Sequence, residues 1–187
     1  MEGAPITKGE RVLSAAAEAF MRYGFARTTM ADIAKGAGMS RPALYLLFPD
    51  KEAIFDSVIR RLDVEMLAKV RAATAHADGL RERLGTACVT WGTHPAELVK
   101  AHPDATDLFD LRFPAVRQAY ANFGELVTAM IAEAAECSDI RATPAELAQT
   151  LIFGMRGLRD CCEDLPSLTR LIELQVDLLV RALQRLD

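Results

Sequence analysis

The sequence predicts an all-α protein of about nine helices, with a small N-terminal domain (1–52) and a larger helical domain (53–187). Apolar residues recur at helical spacing along nearly the whole chain, and no segment alternates as a strand does. Capping residues, glycines and prolines separate the helical segments, as is usual at helix boundaries. Together these two observations predict the fold class.

The first helix is expected to begin after Thr7, which has the capping-box spacing to Glu10. Its apolar positions lie within Val12–Phe20. Gly24 is a typical C-terminal glycine, so the helix is expected to end there, with Phe25 folding back on the last turn.

Two short helices that meet at a glycine-containing turn are predicted next. Thr29 can cap the first and Ser40 the second, and Pro42 fits the first turn of the second because the N–H it lacks would be unpaired there. On this third helix Leu44 and Phe48 would face inward. A helix-turn-helix uses this division, with one face packed on the protein and the other in the DNA major groove. The outward face carries Arg41, Pro42, Tyr45 and Leu46.

Longer helices are predicted in the rest of the chain. The fourth is expected from Asp50 to about Ala77, where the Asp78-Gly79 pair breaks the chain. A fifth should span roughly Leu80 to Trp91, with shorter pieces between Pro95, Pro103 and Pro114. The last three are expected over Val116–Glu136, from Thr143-Pro144 to near Glu163, and from Pro166 to near Leu186.

The N-terminal third resembles the tetracycline-repressor (TetR) family of bacterial transcription regulators. The resemblance runs from RVLSAAAEAFMRYGF through ARTTMADIAKGAGMSRPALYLLF to PDKEAIF, with helix, threonine pair, turn and tyrosine-containing helix in order. The sequence departs from the family at Leu47, where a polar residue is common, and at Pro42, where glycine is common. The remaining two thirds resemble the family in helicity and length.

The resemblance implies that the third helix reads DNA. Arg41, Pro42 and Ala43 would approach base edges, with Arg41 best suited to a guanine. Tyr45 would reach a phosphate or a base. Leu46 would either touch a thymine methyl or shield its neighbours in the turn. The DNA backbone would be held by Thr28 or Thr29, Ser40 and Lys51.

The distribution of charge agrees with a DNA-binding N-terminus. Residues 1–51 carry seven Lys/Arg against five Asp/Glu, whereas residues 52–187 carry fifteen against twenty-one. The overall charge of −4 therefore hides a basic excess at the end expected to meet phosphate. Because this excess is small, we expect modest and salt-sensitive affinity.

Enzyme, metal and export signals are weak. GxSxG, HExxH and P-loop motifs do not occur, so we expect no enzymatic activity and no cofactor. Asp104, Asp107 and Asp110 form a row that could bind a metal, although a solvated helix face explains them more simply. The four cysteines lack zinc spacing, and only the adjacent Cys161 and Cys162 leave redox sensing open. With no membrane span and no signal peptide in evidence, we expect a cytoplasmic protein.

The larger domain would, by resemblance, bind a small effector. Large aromatic side chains favour a mostly apolar ligand with a few orienting polar contacts, although they are also typical of an ordinary core. A cavity of a few hundred Å³ is therefore expected. The candidate lining residues are Trp91, His94, Phe109, Phe113, Arg117, Tyr120, Phe123 and Met130.

The last two helices are apolar over so much of their surface that they must be buried, either by a partner subunit or in an internal core. Gly154 and Gly157 would let another helix approach closely. In the TetR family a two-fold dimer places two reading heads on one operator. The candidate interface residues are Leu147, Leu151, Gly154, Leu158, Leu171, Leu174 and Leu178.

These features together predict a homodimeric, ligand-responsive transcription regulator, most simply a repressor released from a palindromic operator by its effector. An effector-independent, architectural DNA-binding dimer is the main alternative, and a tightly filled larger domain would support it. A helical enzyme with a helix-turn-helix appearance is disfavoured because the catalytic motifs are missing.

Overall fold

The computed structural model describes residues 7–135 and 140–184, and within these ranges it contains helices and no strand. The all-α prediction is therefore confirmed. No helix in the described ranges is long and apolar enough to span a bilayer. The elements are α1 Lys8–Arg27, α2 Met30–Gly36, α3 Arg41–Tyr45, α4 Lys51–Thr74, α5 Gly79–Ala101, a 3-10 helix Pro103–Phe109, α6 Pro114–Ala135, α7 Pro144–Cys161 and α8 Leu165–Leu183.

Helix N-termini lie where the capping residues predict them. Thr7, Thr29 and Thr143 each form a complete capping box with the acidic residue three positions later. Ser40 accepts the Ala43 N–H at 3.3 Å, and Asp50 accepts the Ala53 N–H at 2.7 Å. Each cap satisfies a backbone N–H that the helix itself leaves unpaired, so local sequence suffices to place these ends.

The predicted end of α5 near Trp91 is wrong. The helix continues through Pro95 to Ala101. Proline inside a helix costs roughly 3 kcal/mol, because one hydrogen bond is lost and the ring meets the preceding turn. That cost is offset by burial, since Trp91 and Pro95 are both buried. Sequence spacing alone does not reveal how deeply this part of the helix is packed.

The chain forms two compact units. The first contains the described residues up to Asp63 together with Leu98–Ala119, and the second contains Val64–Glu97 and the residues from Tyr120 onward. Each has its own core. The division into functional domains at residue 52 stays a prediction.

Four phenylalanines form the centre of the first unit. Phe25 packs edge-on against Phe55 at 4.7 Å between ring centroids and against Phe113 at 4.9 Å. Phe20 joins them at 5.4 Å from Phe55. Such tilted contacts are the favoured geometry for aromatic rings. They tie the end of α1 to the starts of α4 and α6.

The second unit is built around an aromatic stack. Trp91 lies parallel to Phe123 at 4.4 Å and perpendicular to Tyr120 at 4.9 Å. Cys88, one turn before Trp91, is fully buried, and burial raises the pKa of its thiol to about 12. Because a thiol must ionise to react, Cys88 is a packing residue. Cys161 and Cys162 are exposed and half-buried, and Cys137 lies outside the described residues.

Candidate nucleic-acid interface

The first unit presents α2 and α3 in the arrangement expected for a helix-turn-helix. Ile33 and Ala34 of α2 and Leu44 of α3 are buried against the unit. Gly38 lies at the bend with φ +66°, a conformation that side-chain-bearing residues rarely adopt. The inward face of α3 is thus held by packing, which leaves its outward face in a defined orientation.

Arginine, tyrosine and leucine side chains project from the outward face of α3. Arg41 and Pro42 are exposed, Ala43 is half-buried and Tyr45 is 46% exposed. Leu46 is 88% exposed. A side chain this exposed has little contact with its neighbours, so the exposure favours the DNA contact over the shielding role for Leu46, and both stay predictions.

The capping hydroxyls on this surface are engaged in local bonds. The Thr29 Oγ1 donates to the Asp32 carboxylate at 2.6 Å, and the Thr29 N–H donates to the same group at 2.9 Å. Those two bonds, the hydroxyl one first, hold the pKa of Asp32 below its usual value. Thr29 and Ser40 are both exposed, so their contact with DNA backbone stays a prediction.

The structure places Thr28 and Lys51 in roles other than the expected phosphate contacts. Thr28 is 1% exposed, and its hydroxyl donates to the Gly24 carbonyl at 2.7 Å. The Lys51 Nζ donates to the carbonyls of Phe25 at 2.7 Å and Thr28 at 2.9 Å. It also lies 4.2 Å from the centroid of the Phe25 ring. Both side chains donate to carbonyls at the end of α1, where the helix leaves carbonyls without intrahelical partners, and the Gly24 carbonyl also accepts the Thr28 N–H at 3.3 Å.

Lys51→Met should therefore reduce the stability of the first unit by about 1–3 kcal/mol, because the carbonyls of Phe25 and Thr28 would lose their charged hydrogen-bond donor. Denaturant unfolding measures the loss. Lys35→Met is the matched control, since Lys35 is exposed on α2 and its change should stay within about 0.5 kcal/mol. An unchanged stability, with a salt dependence of DNA binding reduced by about one phosphate contact, would instead restore the phosphate role.

The aspartate row of the 3-10 helix has three separate partners. Asp107 accepts the Ala26 N–H at 3.1 Å, and Asp104 forms an ion pair with Arg27. Asp110 pairs with Arg112 at 2.7 Å. The row is thus neither a shared metal site nor a simple solvated face. This docking of the 3-10 helix on the end of α1 is not predicted from the sequence, where the acidic spacing is its one signal.

The predicted effector residues are divided between the two units. Phe109, Phe113 and Arg117 belong to the first unit, where Phe113 is half-buried against Phe25 and the Arg117 guanidinium donates to the Leu111 carbonyl at 2.7 Å. In the second unit, Trp91, Tyr120 and Phe123 pack against each other. The remaining two, His94 and Met130, are half-buried there, and burial with nearby Lys69 lowers the pKa of His94.

Cavities are present in both units, but the three aromatic residues line none of those described. A groove of about 810 Å³ in the first unit lies between α1, α2 and the residues around His102. The second unit has a groove of about 470 Å³ between α4, α5 and α6, and a smaller one of about 280 Å³ near Gly79. Among the predicted effector residues, Met130 lines the 470 Å³ groove.

The candidate dimer residues divide into core and surface. Leu151 is only 2% exposed, and a side chain at Gly154 would overlap Gln175 of α8. These two positions therefore serve packing within the chain. Leu174 and Leu178 on α8 are 48% and 61% exposed, and the others are half-buried: Leu147, Leu158 and Leu171.

The region with this geometry matches a known family. The family model for bacterial regulatory proteins of the tetR family matches residues 12–58, which cover most of α1, all of α2 and α3 and the start of α4. The N-terminal region of the chain is therefore of the tetR-family type. The TetR-family match thus includes the outward face of α3.

Related transcriptional regulators share part of this sequence. An HTH-type transcriptional regulator of Mycobacterium tuberculosis is 40% identical over 62 residues, which are 33% of this chain and 33% of that protein. The match thus spans about a third of the relative's length.

Solved structures extend the likeness to the whole fold. The fatty acid degradation regulator FadR from Bacillus halodurans superposes with a TM-score of 0.70 at 19% identity, covering 96% of this chain and 97% of that one. FadR from Bacillus subtilis, solved in complex with stearoyl-CoA, gives 0.68 at 17% identity, covering 92% and 97%. At these identities the likeness concerns the fold alone.

Proposed function

We propose that this chain is a TetR-family, sequence-specific DNA-binding transcriptional regulator, with α3 as its recognition helix. The observation that carries the proposal is the exposed face of α3, with Arg41, Tyr45 and Leu46 on a helix-turn-helix inside the matched region. A helix held by its inner face and open on its outer one is suited to the major groove. The basic balance of residues 1–51 supports the same partner.

Arg41→Ala tests the base-reading role. On a duplex selected by the protein from a random library, affinity should fall by about 5–150-fold, which corresponds to about 1–3 kcal/mol for a bidentate guanine contact. On random duplexes the loss should be much smaller. Arg112→Ala is the control, since Arg112 is exposed but pairs with Asp110 beyond the matched region.

Two results would count against this part of the proposal. Equal losses on selected and random duplexes would remove base reading from Arg41 and leave only a phosphate contact. If repeated selection enriched no sequence with the unmodified protein, sequence-specific regulation itself would be wrong. Anisotropy titrations at two salt concentrations separate these outcomes, because phosphate contacts dominate the salt slope.

The regulator would act as a homodimer on a palindromic operator, through the exposed face of α7 and α8. Leu174 and Leu178 form an open apolar strip on α8, and Phe153 on α7 is 44% exposed. Exposed apolar strips on adjacent helices are typical of subunit interfaces. At Gly157 no atom lies within 4 Å of where a Cβ would stand, so a second helix has room to approach.

Release from the operator by a small effector is the regulatory part of the proposal, with repression as its sense. It is supported by the complex of the structurally similar Bacillus subtilis FadR with stearoyl-CoA, and by the grooves of the second unit. The effector-independent alternative has its own support, because Trp91, Tyr120 and Phe123 fill the centre of that unit. Ligand binding in the second unit distinguishes the two.

A further inference from the structure

The groove of about 470 Å³ in the second unit combines two cations, one anion and an apolar wall. Arg71 of α4, Arg83 of α5 and Glu125 of α6 line it. Its volume falls within the range of about 300–1,000 Å³ typical of small-molecule sites. Leu126, Ala129 and Met130 of α6 supply the apolar surface.

The charges of this groove are not neutralised by one another. In the described part of the chain, Arg71, Arg83 and Glu125 form no ion pair, and the Arg83 Nε is buried without a hydrogen-bond partner. Arg83 is half-buried, so its guanidinium is partly withdrawn from water. A partly desolvated cation attracts an anion more strongly than one in bulk water does.

We propose that this groove binds a small monoanionic amphiphile, a carboxylate on an apolar body, as the effector of the regulator. Two guanidinium groups and one carboxylate give the groove a charge of +1, which a single carboxylate balances. A phosphate monoester carries nearly two negative charges, and Glu125 would repel the excess. Arg83 receives the carboxylate in the charge-assisted geometry that guanidinium favours, and the apolar body lies on Leu126 and Met130.

This inference rests on the effector part of the proposed function and adds a charged group to the ligand that the sequence predicts. The large aromatic side chains in the sequence favour a mostly apolar ligand, and no basic cluster is visible there. Arg71 and Arg83 are twelve positions apart on different helices, and only the packing of α4, α5 and α6 brings them to one groove.

Calorimetric titration with octanoate and its neutral isostere octanamide tests the proposal on the full chain. Octanoate should bind at least about tenfold more tightly than octanamide, because the neutral amide cannot accept the charge-assisted hydrogen bond from Arg83 that the carboxylate accepts. Arg83→Gln should weaken the binding of octanoate by about tenfold or more and leave the binding of octanamide unchanged. Glu125→Gln should instead tighten octanoate, since it removes the repelling charge. Arg112→Gln, on an exposed arginine of the first unit, is the matched control and should change neither.

Equal binding of acid and amide, an unaltered octanoate affinity in Arg83→Gln, or no heat and no rise in melting temperature at millimolar octanoate would each overturn the inference. The melting temperature and circular dichroism of Arg83→Gln confirm that the variant is folded. Ligand binding is measured without DNA. The ligand site would therefore be supported by octanoate binding even if the selection experiment enriched no DNA sequence. If octanoate binds but leaves selected-duplex affinity unchanged, the effector role is wrong.

Discussion

Leu178→Glu is expected to leave the protein folded but monomeric at micromolar concentration, and to weaken operator binding by about 10²–10⁴-fold. Leu178 is 61% exposed, so a carboxylate there does not disturb the chain's own core. In a dimer the same carboxylate would be buried against apolar surface without a partner, at a cost that disfavours association. A monomer loses the effective concentration by which one bound head recruits the other.

Sedimentation and anisotropy on full-site and half-site duplexes measure the two effects separately. Half-site affinity should be unchanged, because the heads themselves are untouched. Val64→Glu is the matched control, since Val64 is 67% exposed on α4 and its change should leave the dimer intact. Leu151→Ala should instead cost about 2–5 kcal/mol of stability, because Leu151 lies in the core. A monomeric unmodified chain would refute the dimer assignment.

Gly24→Ala should reduce the stability of the first unit by about 3–5 kcal/mol and abolish DNA binding with it. Gly24 has φ +74° and ψ 163°, a region open essentially to glycine alone, where strain costs about 1–3 kcal/mol. A Cβ would also stand 2.6 Å from the Asp104 carbonyl oxygen and 3.2 Å from an Asp107 carboxylate oxygen. Relief of that overlap would break the Ala26–Asp107 hydrogen bond, which adds about 1.5–3 kcal/mol.

Substitutions at two other glycines distinguish the cost of backbone strain from the cost of steric overlap. Gly9 lies within α1, with its nearest neighbour 3.9 Å from a Cβ, so Gly9→Ala should be neutral or stabilising by up to about 1 kcal/mol. Gly38 has φ +66° but nothing within 4 Å of a Cβ, so Gly38→Ala should cost only about 1–2 kcal/mol, the strain alone. Denaturant titration of the three variants gives the order of their losses in unfolding free energy directly. A Gly24→Ala loss no larger than that of Gly38→Ala would show that the 3-10 helix yields to the added methyl.

Local sequence determined the helix starts and the inward face of α3. Thr7, Thr29 and Thr143 cap their helices through bonds that reach only three residues along the chain, so the pattern and its cause lie in the same segment. Leu44 is fully buried as its spacing predicts. The exposure of Pro42 and Leu46 follows from that burial, because each lies two positions from Leu44 and therefore on the opposite side of the helix.

Only the tertiary structure decided which residues those faces meet. Lys51 looked like a phosphate ligand, but its ammonium lies among carbonyls more than twenty positions earlier in the chain. Gly154 looked like a dimer contact, but Gln175 occupies the space beside it. Helical periodicity states that one side of a helix is buried, whereas the identity of the covering group depends on contacts between distant segments, and these are set by how whole helices pack.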